Sequence, residues 1–265
     1  GLVAAGRRAD LALLADLRNV DVKTVIANGR VVARDGAMLK PIVAPEATVP
    51  IATTDTMKVP RFNADNFRLR VPGVTSGRAR VRTIKGARFT EWGECDVEVV
   101  NGFAVPPEGT SVMTVVHRHG RSPATPQTAI IEGWSELAGA YATSYSHDSH
   151  NLVVYGRDAN DMAVAANAVT AMGGGDAVVQ AGEVIASIAF PVAGLLSDQP
   201  PREVARRHRE VVEAAGRVIE WQAPYRVFKA LSGQCLACNA GPHLTDLGLT
   251  DGTTRRIFGA VVVGV

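Results

Sequence analysis

The feature that most constrains the fold is a change of hydrophobic period in the second half of the chain. The segment GAYATSYSHDSHNLVVYG, residues 139–156, contains two short β-forming runs separated by a polar turn. The next segment, DANDMAVAANAVTAMGGG, begins with residues that cap helices, continues with helix formers and ends in three glycines. This pattern predicts a helix over about residues 160–172, followed by a hairpin that turns near Gly182 and Glu183.

The flanking sequence extends this mixed pattern in both directions. Alternating apolar residues predict strands in RARVRTIKG, ECDVEVVNG and SVMTVVHRHG, which lie between residues 78 and 120. After the hairpin, Asp198 and two prolines precede a helical pattern in which apolar residues recur from Val204 to Ile219. We therefore expect an α+β layer structure with helices packed on one face of a sheet.

The first 60 residues form a separate region in this interpretation. A buried strand is predicted at 9–14, and strands at 22–27 and 30–34 flank the dipeptide Asn28-Gly29, a strong signal for a hairpin turn. The Pro-, Thr- and Ala-rich text from Met38 to about Pro60 has no clean period and indicates a connecting segment. We expect a domain boundary near residue 60, so that residues 1–60 and 61–265 fold separately.

Composition excludes several classes of partner. Charged residues make up 20% of the chain and nearly cancel to +2, so no strongly basic surface is expected to bind nucleic acid or a membrane. Three cysteines and the lack of a long apolar run or signal-peptide pattern favour the cytoplasm. Cys235 and Cys238, in CLAC, are interpreted as two small buried thiols. The expected partner is a small or neutral molecule.

The segment SHDSH contains the candidate catalytic residues His147, Asp148 and His150. A turn would bring both imidazoles and the carboxylate together, and a carboxylate beside an imidazole is the pairing that general acid-base catalysis uses. Ser149 and Asn151 add uncharged hydrogen-bonding groups. The alternative is a structural polar turn in which Asp148 caps nearby backbone amides.

A second candidate group is HRHG, which contains His117, Arg118 and His119 at the end of an apolar β-forming run. Alternate residues of a strand project the same way, so the two imidazoles resemble the metal-ligand pair of many hydrolases. The further ligands of such a site are not evident, and a substrate-facing or structural loop is the alternative. We expect no metal ligands in this chain.

Several motifs together resemble bacterial adenine deaminases of the amidohydrolase superfamily. They are GAYATSYSHDSHNLVVYG, AVAANAVTAMGGG, FPVAGLLSD and LACNAGPHLTDLGLTD, all in the region 61–265 that resembles the C-terminal domain of that family. GLVAAGRRADLALL and the Asn28-Gly29 hairpin resemble the tail of the barrel and the small β-domain of amidohydrolases. The resemblance covers nearly the whole chain, without the metal-binding barrel.

The resemblance implies an activity, partners and a role for the polar residues. The implied reaction is hydrolytic deamination of adenine to hypoxanthine and ammonia in purine metabolism, with manganese or iron bound in the N-terminal barrel of a homo-oligomeric enzyme. His147, Asp148 and His150 are then expected at the mouth of the barrel's site, with His117, Arg118, His119, Ser149 and Asn151 beside them. On its own the chain is expected to be inactive. A non-catalytic docking or oligomerisation module is the alternative, and a hydrolase with its own metal site is a third possibility.

Overall fold

The computed structural model describes residues 2–41, 53–86, 89–133, 136–220, 232–258 and 261–264. The chain divides into two compact units, Gly1–Thr48 and Val49–Val265. This division lies earlier than the boundary that we predicted near residue 60. The reason is that Thr56 and Lys58 hydrogen-bond to Arg118, which lies in the second unit.

The first unit is a four-stranded antiparallel sheet with the strand order β1-β2-β3-β4. Its strands are β1 (Leu11–Asp16), β2 (Asp21–Ala27), β3 (Arg30–Arg34) and β4 (Ala37–Met38). Asn28 and Gly29 join β2 to β3 with φ angles of 50° and 72°, the left-handed conformation that a type I′ turn requires. The predicted hairpin is therefore confirmed. None of the described side chains of this unit is fully buried.

The second unit contains a ten-stranded sheet and a smaller three-stranded one. The large sheet has the order β13-β12-β10-β11-β8-β9-β5-β6-β7, and β17 pairs with β5. All its pairs are antiparallel except β5 with β9. Its strands are β5 (Gly77–Lys85), β6 (Glu91–Val100), β7 (Phe103–Val105), β8 (Thr110–Val116), β9 (Gln127–Glu132), β10 (Ala140–Thr143), β11 (Leu152–Gly156), β12 (Gly175–Gln180), β13 (Glu183–Ala189) and β17 (Val262–Gly264).

The other elements whose bounds lie within the described residues are two helices, two short 3-10 turns and the small sheet. They are α1 (Ala159–Ala171), α2 (Pro201–Val218), the 3-10 turns Ala64–Phe67 and Ser232–Cys235, and the strands β14 (Pro242–Thr245), β15 (Gly248–Asp251) and β16 (Arg256–Phe258). The helix α1 begins where Asp158 accepts hydrogen bonds from the backbone of Asn160 and Asp161, and Gly173 follows its end with φ 76°. The sequence predicted this helix nearly to the residue.

The helices pack on opposite faces of the large sheet, whereas we expected them on one face. Met113, Val115 and Val153 pack with the apolar side of α2, while the alternate residues Val112 and Val154 pack with α1. Successive residues of a strand point to opposite faces, so the central strands are apolar on both sides and need two covers. The α+β class itself is confirmed. No helix among the described residues is both long and apolar enough to cross a bilayer.

Candidate functional site

The large sheet places the two histidine segments side by side. The strand β8 ends at Val116, and β11 begins at Leu152, which is paired with Val116 across the antiparallel ladder. The residues that follow β8 therefore lie next to the turn that precedes β11. In this way sheet register, and not sequence proximity, unites residues 117–119 with residues 147–151.

Four imidazoles form one group at this end of the sheet, which we call the histidine cluster: His117, His119, His147 and His150. The ring centres of His117 and His119 are 5.4 Å apart, and those of His147 and His150 are 5.3 Å apart. The Nε2–H of His119 donates to the carbonyl oxygen of Ser149 at 2.9 Å and joins the two segments. Tyr145 lies beside His147, with 5.5 Å between ring centres.

Asp246 holds one side of the cluster, and the sequence analysis missed it. One carboxylate oxygen is 3.1 Å from His117 Nδ1, and the other accepts from the Asn151 side-chain amide at 3.1 Å. Asp246 lies in the turn between β14 and β15, where an Asp before Leu-Gly is typical of any tight turn. The local sequence therefore carried no signal that distinguished it.

Arg118 lies inside the protein beneath the cluster, with a side chain that is fully buried. Its guanidinium donates to the carbonyl oxygens of His150 at 2.6 Å and Ala193 at 2.9 Å, and to the Thr56 hydroxyl at 3.0 Å. Burial lowers the pKa of Arg118 to about 10. The side chain thus fixes the backbone around the cluster, and its donors are used within the chain.

The environment lowers the pKa of two members of the cluster, His119 and His150. Burial lowers the pKa of His119, the hydrogen bond to Ser149 raises it, and the cation of Arg118 lowers it further. Burial, and then the charges of His147, Arg118 and His119, lower the pKa of His150, against the effect of Asp148. Neutral imidazoles can accept a proton, which is the state that a general base needs.

The two cysteines of CLAC differ from our expectation. Cys235 is buried, and its thiol lies 2.8 Å from the Ser146 hydroxyl, but Cys238 is exposed. A hydrogen bond between Cys238 and the Asp148 carboxylate raises the pKa of the Cys238 thiol. The expectation of two buried thiols was wrong for Cys238, because the 3-10 turn ends at Cys235 and leaves the second cysteine on the surface. Both thiols contact the turn that contains the histidines.

The geometry of the site does not by itself identify a protein family, but the sequence matches a known family. A family model described as the adenine deaminase C-terminal domain matches residues 87–256. This chain belongs to that family.

Curated relatives extend the match beyond that region. The chain is 54% identical over 262 residues to an adenine deaminase of Klebsiella pneumoniae subsp. pneumoniae. This match covers 99% of this chain and 43% of that protein. It is 53% identical to an adenine deaminase of Serratia proteamaculans over 99% of this chain and 44% of that protein. An adenine deaminase 2 of Rhizobium meliloti is 49% identical to this chain, and the match covers 99% of this chain and 43% of that protein. The chain thus spans less than half the length of these relatives.

The adenine deaminase C-terminal domain brings together most of the predicted site residues. His117, His119, His147 and His150 form the cluster, and Ser149 contacts it through its carbonyl oxygen. Asn151 is buried beside Asp246, whereas His147, Asp148 and Ser149 are exposed. A catalytic role of His147, Asp148 and His150 stays a prediction, as does substrate contact by the others.

The described part of the domain shows no place that fits a metal ion. Among the residues that the structure describes, no three side chains of His, Cys, Asp or Glu converge as a set of metal ligands. The histidine cluster as described therefore offers no complete set of metal ligands among those residues. The reading of His117 and His119 as a ligand pair gains no support from this geometry.

Proposed function

We propose that this chain is the C-terminal part of an adenine deaminase, an enzyme that converts adenine and water to hypoxanthine and ammonia. The observation that carries the proposal is the 54% identity to the Klebsiella pneumoniae adenine deaminase across 99% of this chain. A match of that extent leaves no large part of the chain to a different architecture. We place the reaction in purine catabolism and the enzyme in the cytoplasm.

The exposed apolar residues of the first unit support the proposal that another domain covers this sheet. None of its described side chains is fully buried, and Leu13, Val31 and Met38 are 51%, 40% and 49% exposed. A sheet without a buried core is not stable alone in water, because burial of apolar surface is the main stabilising contribution. We propose that an N-terminal barrel covers it in the complete enzyme, and that the enzyme is a homo-oligomer.

The proposed barrel would bind the divalent metal, manganese or iron. When bound, the metal would supply a water activated for attack near neutral pH. The residues of this chain would act on the substrate and its protons. His147, Asp148 and His150 would lie at the mouth of the barrel's site, where neutral His150 accepts a proton or orients the base. His119 would assist, since its Nε2–H is committed to Ser149 and its Nδ1 remains an acceptor.

A chimera tests the proposal directly. The corresponding region of the Klebsiella pneumoniae adenine deaminase is replaced by this chain, and hypoxanthine formation is measured with manganese and with iron. We expect turnover by the chimera and none by this chain alone. A chimera that folds and binds metal but forms no hypoxanthine, beside an active parent enzyme, would contradict the proposal.

Variants of the chimera test the role of the turn. We expect His147→Ala and His150→Ala to lower kcat by about 100- to 10,000-fold, the range for lost acid-base groups. His208→Ala, on helix α2, is the matched control and should change kcat less than about twofold, like other substitutions away from a site. If His147→Ala and His150→Ala leave turnover intact but impair assembly, the turn is a docking surface and its catalytic role is wrong.

A further inference from the structure

The strongest new feature is the pair of contacts made by Asp246. Its two carboxylate oxygens serve two different side chains of the site, His117 on one oxygen and Asn151 on the other. The carboxylate is 20% exposed and His117 is 12% exposed, so both groups are largely shielded from water. A carboxylate can only accept hydrogen bonds when ionised, so both partners must donate to it.

The first consequence concerns the tautomer of His117. Its Nε2 accepts a hydrogen bond from the backbone N–H of Arg121 at 3.3 Å, so this nitrogen carries no proton in the neutral ring. The proton is then on Nδ1, which faces Asp246 at 3.1 Å. Both contacts favour the same tautomer, and the carboxylate of Asp246 is the stronger partner because it is charged and closer.

The second consequence concerns the orientation of the Asn151 amide. Its Nδ2 donates to Asp246, so its Oδ1 must point away from the carboxylate, since the opposite orientation would bring two acceptors together. Asn151 is 4% exposed, and its Oδ1 is buried without a partner among the described residues. Asn151 also lines a cavity of about 10 Å³ with Ser146, His147, Ser149 and Thr245. That volume is at the lower limit for one water molecule.

We propose that Asp246 is a positioning residue of the histidine cluster. It holds His117 in the Nδ1–H tautomer and orients the Asn151 amide so that its oxygen points away from the carboxylate. Its effect on turnover rests on the proposed function, whereas its effect on the tautomer does not.

The tautomer is measured on this chain with ¹⁵N-labelled histidine by NMR at pH 8.5, where imidazoles are ordinarily neutral. We expect a protonated Nδ1 and an unprotonated Nε2 for His117, assigned with His117→Gln. Asp246→Ala removes both acceptors, and the single-tautomer signature should give way to a mixture. A wild-type His117 protonated on Nε2, or a signature unchanged in Asp246→Ala, would overturn the proposal.

Two further variants separate positioning from loss of structure. Asp246→Asn offers an oxygen to His117 and an amide to a reoriented Asn151, so the His117 signature should persist while the Asn151 amide signals shift. Asp251→Ala removes a carboxylate that accepts from Trp92 at 2.8 Å at the other end of β15, outside the cluster. It should leave the signature unchanged. If Asp251→Ala and Asp246→Ala change the signature alike, the cause is the hairpin and positioning is wrong.

The chimera supplies the functional readout. Asp246→Ala should lower kcat by about 10- to 100-fold, as loss of an orienting partner does elsewhere, with little change in KM. If the tautomer changes while kcat does not, positioning for catalysis is wrong. The proposed function survives that result, because it is judged by turnover of the unsubstituted chimera.

Discussion

The two histidine segments of the cluster differ in how firmly the protein holds them. In residues 117–119, His117 bonds to Asp246, Arg118 is fully buried, and His119 donates to the Ser149 carbonyl. In residues 147–150, the first three residues are exposed, and the Nδ1 of His150 is buried without a partner among the described residues.

Residues 117–119 are held by contacts within the protein, whereas residues 147–149 are exposed. The first segment follows a fully buried strand, β8, and its polar groups extend the hydrogen bonding of that strand into the loop. The second is a turn whose side chains stand above this base. Residues that are rigidly held orient their neighbours, and residues that are free can meet a substrate or a partner surface. Substitutions in the two segments should therefore act on different properties of the protein.

The largest effect on stability is expected from Arg118→Met. It removes the donors that serve the carbonyl oxygens of His150 and Ala193 and the Thr56 hydroxyl. Each acceptor left without a donor costs about 1–3 kcal/mol, so we expect the loss of three such bonds to lower the free energy of unfolding by at least about 3 kcal/mol. Urea denaturation measures it. Arg121→Met, an exposed neighbour, is the control and should change stability by less than about 0.5 kcal/mol.

If Arg118→Met proves as stable as Arg121→Met, the buried contacts of Arg118 do not stabilise the protein, and residues 117–119 are not held more firmly than residues 147–150. The Arg118→Met variant also serves as a background for a second substitution. Gly194, with φ 72°, lies against the guanidinium, and an added Cβ would be 2.6 Å from Arg118. Gly194→Ala should therefore destabilise the wild-type chain more than it destabilises the Arg118→Met variant, whose side chain is uncharged and flexible.

A smaller effect is expected from comparing His117→Ala with His147→Ala. The first leaves a largely shielded Asp246 oxygen without its donor and should lower the free energy of unfolding by about 1–2 kcal/mol. The second removes an exposed ring and should change it by less than about 0.5 kcal/mol. The two midpoints in urea measure the difference. Equal losses would mean that the turn is as firmly built as residues 117–119.

The elements around the site were predictable because their signals are local. The helix α1 has its cap at Asp158 and its glycines directly after its last turn, and the Asn28-Gly29 turn determines the first hairpin. The place of the histidine turn followed from two β-forming runs on either side of it. Each of these features is decided within about 15 residues, where helix and strand periods are readable.

The partners of the site residues were not predictable, because packing decides them. Asp246 is 129 positions from His117, and only the docking of the β14–β15 hairpin brings the two together. Arg118 is similar, since a charged residue in a loop is ordinarily exposed, yet this one is fully buried. The sequence also did not predict that the two helices lie on opposite faces of the large sheet, because this depends on central strands that are apolar on both sides.

The smallest effect is a pH dependence, and its sign can be worked out. Burial lowers the pKa of His119 and of His150 below the ordinary value near 6.5. The unfolded chain therefore binds more protons than the folded chain as the pH falls from about 7 to 5, and the free energy of unfolding should fall with it. Burial raises the pKa of Asp176 to about 6, which makes the folded chain bind a proton first and opposes this trend.

The Asp176→Asn variant isolates the histidine contribution, because the amide keeps an acceptor for Tyr141 without titrating. In that background, we expect stability in urea to decline from pH 7 to pH 5, and His119→Gln with His150→Gln to reduce the decline. It should not vanish, because burial also lowers the pKa of His243. An unchanged decline would mean that the two rings are as free to protonate in the folded chain as in the unfolded one, and that the protein does not hold either of them in the neutral state.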